Sequence, residues 1–436
     1  MLLRNSSILF LIFLAAVAGA EQLAAQAPTR LTLQDAEALA LRNHPQILAA
    51  QNEASFAEQQ VVEARAPYYP FLNAELTGSQ SNDPNSRIGA GAMIASHLFS
   101  RLGQGAILSQ LITDSGRTPN LVASSRLQSQ ASGQNLQATR YDVLLRVNQA
   151  YYNVLHAQAL VKVAEETVSA RQLLDDQVST LARNNLRSLV DVSFADVNVS
   201  EAKLLLLRAQ DAVQEAFAEL ARSLGSDQVT NYQLVDEPLP PAPPAAPEDL
   251  VAQALSNRPE ISSLRYLRDS AYKFFEAEKD LSRPTVSLLG VGGFLPVINS
   301  GTTSVPAEYD GVGVNVDIPV FNGHLFSARR EAARYRAQEA DQRLRDEQEV
   351  VTRDVRVAWS SATNAYQRID VTAQFMRQAA LALDLSQGRY NLGLSSIVEL
   401  TQAQLNLTQA EIENLSAKYD YQNQYAALQY TVGLLR

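Results

Sequence analysis

Four histidines, two adjacent aspartates and two glycine-rich stretches are the residues of this chain whose types could do chemistry. His44, His97, His156 and His324 could ligate a metal or move a proton, yet no two stand at i,i+4 and none lies beside carboxylates at ligand spacing. Asp175 and Asp176 could divide acid and base roles only from one face, and successive helix residues point about 100° apart. "GVGGF" and "GVGVNV" could cradle a phosphate if a helix followed at once; they keep strand alternation instead and read as strand glycines. The chain has no cysteine, which removes thiol nucleophiles, thiolate ligands, disulfides and a thiol-anchored lipid. Trp359, in register with Tyr151, reads as a packing residue. No catalytic constellation, metal site or cofactor site is expected, and an enzyme carried on a scaffold has no residues to support it.

The informative residues belong to a turn that occurs twice. "LARNNLRSLVDV", residues 181–192, is echoed by "RYNLGLSSIVEL", residues 389–400. Asn185 and Gly393 take equivalent places, and Asn and Gly are the residues that best tolerate left-handed backbone after a helix end. Leu186 in the first turn, and Leu392 and Leu394 in the second, flank those positions. Each turn is expected to fold one helix back on another, so that the chain has two helical hairpins with tips at these residues.

The repetition extends beyond the turns. Leu41, Asn43, Pro45 and Pro70 recur as Leu255, Asn257, Pro259 and Pro284 at an offset of 214; Val190, Ala195, Asn198, Ala202 and Gly225 recur as Val398, Ala403, Asn406, Ala410 and Gly433 at an offset of 208. Between these blocks Gly89, Gly91 and Phe99 match Gly311, Gly313 and Phe321 at 222, which assigns copy two a longer loop near 298–308 and copy one an insertion around "GQGAILSQLITDSGRTPN". The join, "PLPPAPPAAP", holds six of the 17 prolines and is an extended connector.

Each copy switches period twice. Opening helical patterns, with Thr32 and Asp35 as a cap, are interrupted at Pro45 and Pro259 and ended by Pro67, Pro70 and Pro284. Alternation follows: Val312, Val314, Val316, Ile318 and Val320 share one face in copy two, and Leu72, Ala74 and Leu76 share one in copy one, with "SNDPNSR" and "INSGTTSVPAE" as turns. "GAGAMIASHLF" is taken as the second strand of copy one. Proline-free stretches then run over 120–237 and 320–436; a helix from about Ser327 to about Tyr390 would reach about 100 Å. Val398, Leu405, Ile412, Tyr419 and Ala426 recur at sevens and are read as the seam of its returning partner.

The expected organisation is a signal peptide over 1–27, a first repeat over 28–225 with strands about 68–82 and 88–99 and a helical hairpin about 121–225, a proline-rich linker over 226–250, and a second repeat over 251–436 with strands about 284–297 and 309–321 and a hairpin about 325–435. Arg4, the apolar "ILFLIFLAAVAGA" and small residues at Ala18-Gly19-Ala20 or Ala25-Gln26-Ala27 carry the signal reading; a retained anchor is its rival. Strands of about ten residues would cross a bilayer when tilted, but four cannot close a barrel, so several chains would have to share one. Two hairpins capping a soluble domain, or a lone solvated coiled coil, are the plainer alternatives. The acidic balance, 46 Asp and Glu against 36 Lys and Arg, argues against nucleic acid.

The ordered duplication of "ALALRNHP" and "AQALSNRP", a proline at each helix-to-strand switch, "IPVFNG" before the long helix and the tip "YNLGLSSIVEL" resembles the TolC-like outer-membrane efflux family over nearly the whole chain after the leader. The resemblance implies a mainly α fold with a membrane β-barrel: a homotrimer whose twelve strands sit in outer-membrane lipid and continue into a long α-helical barrel across the periplasm. It implies a conduit for tripartite efflux or type I secretion, with a periplasmic adaptor and an inner-membrane transporter docked at the tips. It places Glu399 and Gln402 at the entrance constriction, where three Glu399 carboxylates would favour cations, and makes a Tyr390 hydroxyl to Asp191 carboxylate link the gate-closing contact. Ser395 stands where the family has a second, basic closing residue. A periplasmic coiled-coil adaptor or structural tether without a barrel is the alternative function.

Overall fold

The computed structural model describes residues 30–79, 87–90, 93–97, 101–229, 232–294 and 308–435. The expected leader, the turn "SNDPNSR" up to its final Arg87 and most of the 298–308 loop lie outside them.

Helices α1 (Leu33–Asn43) and α2 (Pro45–Arg65) open copy one; α5 (Glu248–Asn257) and α6 (Pro259–Asp280) open copy two. Thr32 and Asp35 cap α1 reciprocally, and Pro45 and Pro259 stand at the first position of a new helix, where a missing N–H costs nothing. Both prolines therefore restart a helix rather than kink one.

The long helices follow. α3 (Arg117–Arg183) and α7 (Leu325–Asn391) each have 67 residues, about 100 Å at 1.5 Å per residue. Their returning partners, α4 (Leu189–Ser223) and α8 (Ile397–Val432), are half as long, and α2 and α6 run beside the other half. Ser124 and Ser270 exchange hydroxyl-to-carbonyl hydrogen bonds where α3 meets α6, and the Arg171 guanidinium donates to the Asn198 carbonyl where α3 meets α4.

The hairpin seams are built from small residues at sevens: Ala195, Ala202 and Ala209 in α4, and Ala403, Ala410 and Ala417 in α8, all buried. Of the column expected from Val398, Leu405, Ile412, Tyr419 and Ala426, the tip end is out of phase, since Val398 and Leu405 are exposed in the chain, while Tyr419 packs against the core and Ala426 is buried. Helices approach most closely over alanine, so the bulky residues are turned away from the seam.

Strands β2 (Phe71–Ser79), β5 (Arg101–Thr113), β7 (Thr285–Phe294) and β8 (Glu308–Asp317) form one antiparallel sheet in the order β2-β5-β7-β8. This corrects the assignment of copy one's second strand to 88–99. Those residues form a separate hairpin of β3 (Arg87–Ala90) and β4 (Met93–His97), and "GQGAILSQLIT", taken as part of an insertion, is the strand. At an offset of 208, the offset of the helical hairpins, Gly103 and Gly105 match Gly311 and Gly313. The extra residues of copy one thus precede its second strand.

Register puts Leu72, Leu108, Gly290 and Val312 in one row and Val286 beside Val316, making one apolar face. Leu72, Leu76, Val312, Val314 and Val316 on it are exposed in the single chain. On the other face Tyr309 lies across Gly293 and Gly105, whose missing side chains leave its ring room: a Cβ on Gly293 would meet the Tyr309 hydroxyl at 2.7 Å. No helix among the described residues is long and apolar enough to cross a membrane.

Where sheet becomes helix, the repeats are tied together. Ser115 donates to the Pro284 carbonyl (2.7 Å), Arg283 donates to the Ser115 carbonyl (3.0 Å) and Asn120 donates to Asp280 Oδ2 (3.1 Å); within copy two, Glu278, 2% exposed, accepts from Arg329 at 2.6 and 3.0 Å. At the other end of the sheet-side helices the linker is held by side chains. β6 (Gln233–Leu234) pairs in parallel with β1 (Arg30–Leu31), Tyr151 donates to the Val235 carbonyl (2.7 Å), Gln422 to that of Glu237 (3.0 Å), Trp359 to that of Pro244 (2.8 Å) and Tyr421 to that of Pro241. Tyr151 and Trp359 occupy matching places in the two copies and both hold the linker, so packing is only half their role.

Candidate functional site

Both hairpin tips are the same turn in atomic detail. Asn185 (φ 58°) and Gly393 (φ 73°) are left-handed, as the echo predicts. Asn185 N–H donates to the Ala182 carbonyl and Leu186 N–H to that of Leu181; Gly393 N–H donates to the Tyr390 carbonyl and Leu394 N–H to that of Arg389. Each pair closes a helix end that otherwise leaves carbonyls unpaired. Ser188 and Ser396 then cap the returning helices by accepting from Val190 N–H and Glu399 N–H.

The tips are not independent. Leu174 and Val178 of α3, Tyr390 of α7, and Ile397 and Leu400 of α8 form one small buried cluster, with Val192 of α4 against it. This cluster locks the end of one hairpin to the end of the other. Leu186, Leu189, Leu392 and Leu394 project outside it and are exposed.

Tyr390 is 2% exposed, but its hydroxyl has no hydrogen-bond partner among the described residues. The expected link to the Asp191 carboxylate is not made within the chain. What holds Tyr390 is Arg187, whose guanidinium lies 4.2 Å from the ring centre and donates to the Tyr390 carbonyl at 2.7 Å. Burial pushes the Tyr390 phenol up, the Arg187 charge opposes that, and the nearby Asp191 charge adds to it. Asp191 therefore acts on Tyr390 through its field, while Arg187 makes the contact.

Glu399 and Gln402 lie on the first turns of α8 and both are exposed. Glu399 is not a bare carboxylate. Arg389, in the last turn of α7, brings its Nε to 3.3 Å from Glu399 Oε1. Gln402 donates through its side-chain amide to Asn406 Oδ1 at 2.9 Å. Arg187 and Arg389 are the two functional candidates that residue-pattern reading does not single out.

Farther from the tips, α3 and α8 meet through polar pairs. His156 and Ser416 lie 3.0 Å apart, and burial lowers the His156 pKa against the opposing charge of Asp420. Glu411 is raised by burial first and by the Glu166 carboxylate second. Asp175 is raised by burial and then by its like-charged neighbours Asp196 and Asp176. His44 serves as a helix cap, accepting from Gln46 N–H at Nδ1, and His324 packs against Phe321. The side chain of His97 lies outside the description. Among the described residues no three His, Cys, Asp or Glu side chains are grouped to hold a metal.

A family profile described as "Outer membrane efflux protein" matches residues 38–226 and 250–434. The chain is 25% identical over 407 residues to the outer membrane efflux protein BepC of Brucella suis, covering 91% of this chain and 84% of that one. It is 24% identical over 390 residues to the outer membrane protein TolC of Escherichia coli, covering 86% and 76%. Its backbone matches the crystal structure of the outer membrane protein VceC from Vibrio cholerae with a TM-score of 0.76 at 18% identity, covering 92% of this chain and 96% of that one.

Proposed function

The chain belongs to the outer membrane efflux protein family and is an export channel of the outer membrane, and from that premise we propose that three copies form one continuous conduit, gated at the hairpin tips. The observation that carries this reading is a pair of open edges. Among the described residues β2 and β8 bound the four-stranded sheet with one side unpaired, and nothing there covers its apolar face. Four antiparallel strands per copy are an even number, so β8 of one copy can meet β2 of the next antiparallel and the pattern closes without a fault. Three copies give twelve strands, more than the eight or so that the smallest barrels need.

The helices extend the conduit. Each copy contributes a curved wall whose inner end is the pair of tips, where Glu399 and Gln402 form the constriction. Arg187 on Tyr390 holds the two hairpins together in the closed state. Leu186, Leu392 and Leu394, exposed around Asn185 and Gly393, offer the apolar docking points for a periplasmic adaptor, which in turn brings an inner-membrane transporter that supplies the energy. The conduit performs no covalent chemistry and needs no cofactor.

Single-channel recording of the purified protein in planar bilayers tests the reading. Discrete conductance steps are expected. A protein that gives no steps and that carbonate washes from membranes belongs to the tether alternative.

A further inference from the structure

Within the two tips, residues 181–192 and 389–400, three arginines (Arg183, Arg187 and Arg389) stand against two acids (Asp191 and Glu399). The tips thus carry a net +1 in a chain whose net charge is −10. Arg389 is placed to matter most. It reaches from the last turn of α7 to the Glu399 carboxylate, 3.3 Å away, across the turn that Gly393 makes, and its Nη2 approaches the Leu394 carbonyl at 3.5 Å. Both partners face solvent, Arg389 at 57% and Glu399 at 42% exposure.

We propose that Arg389 sets the charge selectivity of the entrance, so that this conduit passes anionic and uncharged solutes as readily as cations. The inference rests on the reading of Glu399 as an entrance residue. A ring of bare carboxylates attracts cations and repels anions. Here each carboxylate shares its site with a guanidinium well inside the screening length of about 8 Å at physiological salt, so a passing ion meets an ion pair rather than a charge. The next position along the helix, Gln402, adds no charge, since its amide is engaged with Asn406. Asp191, the other tip acid, is opposed by Arg187, which sits directly on Tyr390. The consequence for cargo is that the entrance does not sort solutes by the sign of their charge, metal cations included.

The test is the reversal potential across a KCl gradient in planar bilayers. Wild type is expected near zero. Arg389→Gln should move it towards the potassium equilibrium potential, Glu399→Gln towards that of chloride, and Arg389→Lys should stay with wild type. Because Arg389 is exposed, these variants retain the fold, which the size of the conductance steps reports. Strong cation preference in wild type, or an Arg389→Gln value equal to wild type while steps persist, would overturn the proposal and leave the conduit reading intact. Absence of steps in every protein, wild type included, would overturn the conduit reading itself.

Discussion

Tyr390 is held by its ring and its carbonyl and not by its hydroxyl. That difference separates two accounts of the gate. If the hydroxyl closed it, Tyr390→Phe would open it; among the described residues the hydroxyl has no partner, so Tyr390→Phe should leave conductance unchanged. Arg187→Ala removes a cation-π contact and a charged hydrogen bond, together about 2–4 kcal/mol. The open population should rise by roughly tenfold or more, at about 1.4 kcal/mol per factor of ten, and single-channel conductance checks it. Equal behaviour of the two variants would show that Arg187 is a packing residue. The left-handed places were legible because only a few residue types accept φ near +60° and both tips used one of them. Arg187 and Arg389 were not, because an arginine near a helix C-terminus is the ordinary complement to the helix dipole and carries no further signal.

At the scale of elements, the sheet and the helical wall make separate demands. Gly293 sits where three strands meet under the Tyr309 ring, and a Cβ there would come within 2.5 Å of the Gln104 carbonyl oxygen. Gly293→Ala should therefore weaken the sheet, by about 1–3 kcal/mol in the manner of overpacking, and heat-induced loss of the folded form in detergent should occur at lower temperature. Gly313, with open space around it, is the control that should tolerate alanine. On the wall, Glu411 has a raised pKa from burial and from Glu166. The native state then holds its proton more tightly than the unfolded chain, so the associated stability is complete below the ordinary value of 4.5 and is lost as pH rises through the raised value. Glu411→Gln should melt above wild type at neutral pH and together with it below pH 4.5; a variant melting lower at neutral pH would contradict the sign. The elements themselves were legible where period was long and uninterrupted, as in the two 67-residue helices. They were misread where two alternating stretches competed for one role: "GAGAMIASHLF" and "GQGAILSQLIT" share the same glycine spacing, and only the pairing with Phe71–Ser79 and Thr285–Phe294 decides between them.

At the scale of the molecule, duplication explains why so much is said twice: two helices restarted at a proline, two linker-holding aromatics, two matching turns. It also explains the incompleteness of one chain. Among the described residues the two copies place four strands side by side with their apolar face bare and both edges free, a state that a soluble monomer would not keep. The assembly is the element missing from the sequence, because no residue pattern counts subunits.

Electron microscopy of the protein extracted from outer membrane in mild detergent tests that assembly most directly. The account predicts a three-fold particle with a detergent belt around twelve strands at one end and a helical tube roughly 100 Å long at the other. A thin rod without a belt, or a compact single chain, would contradict it.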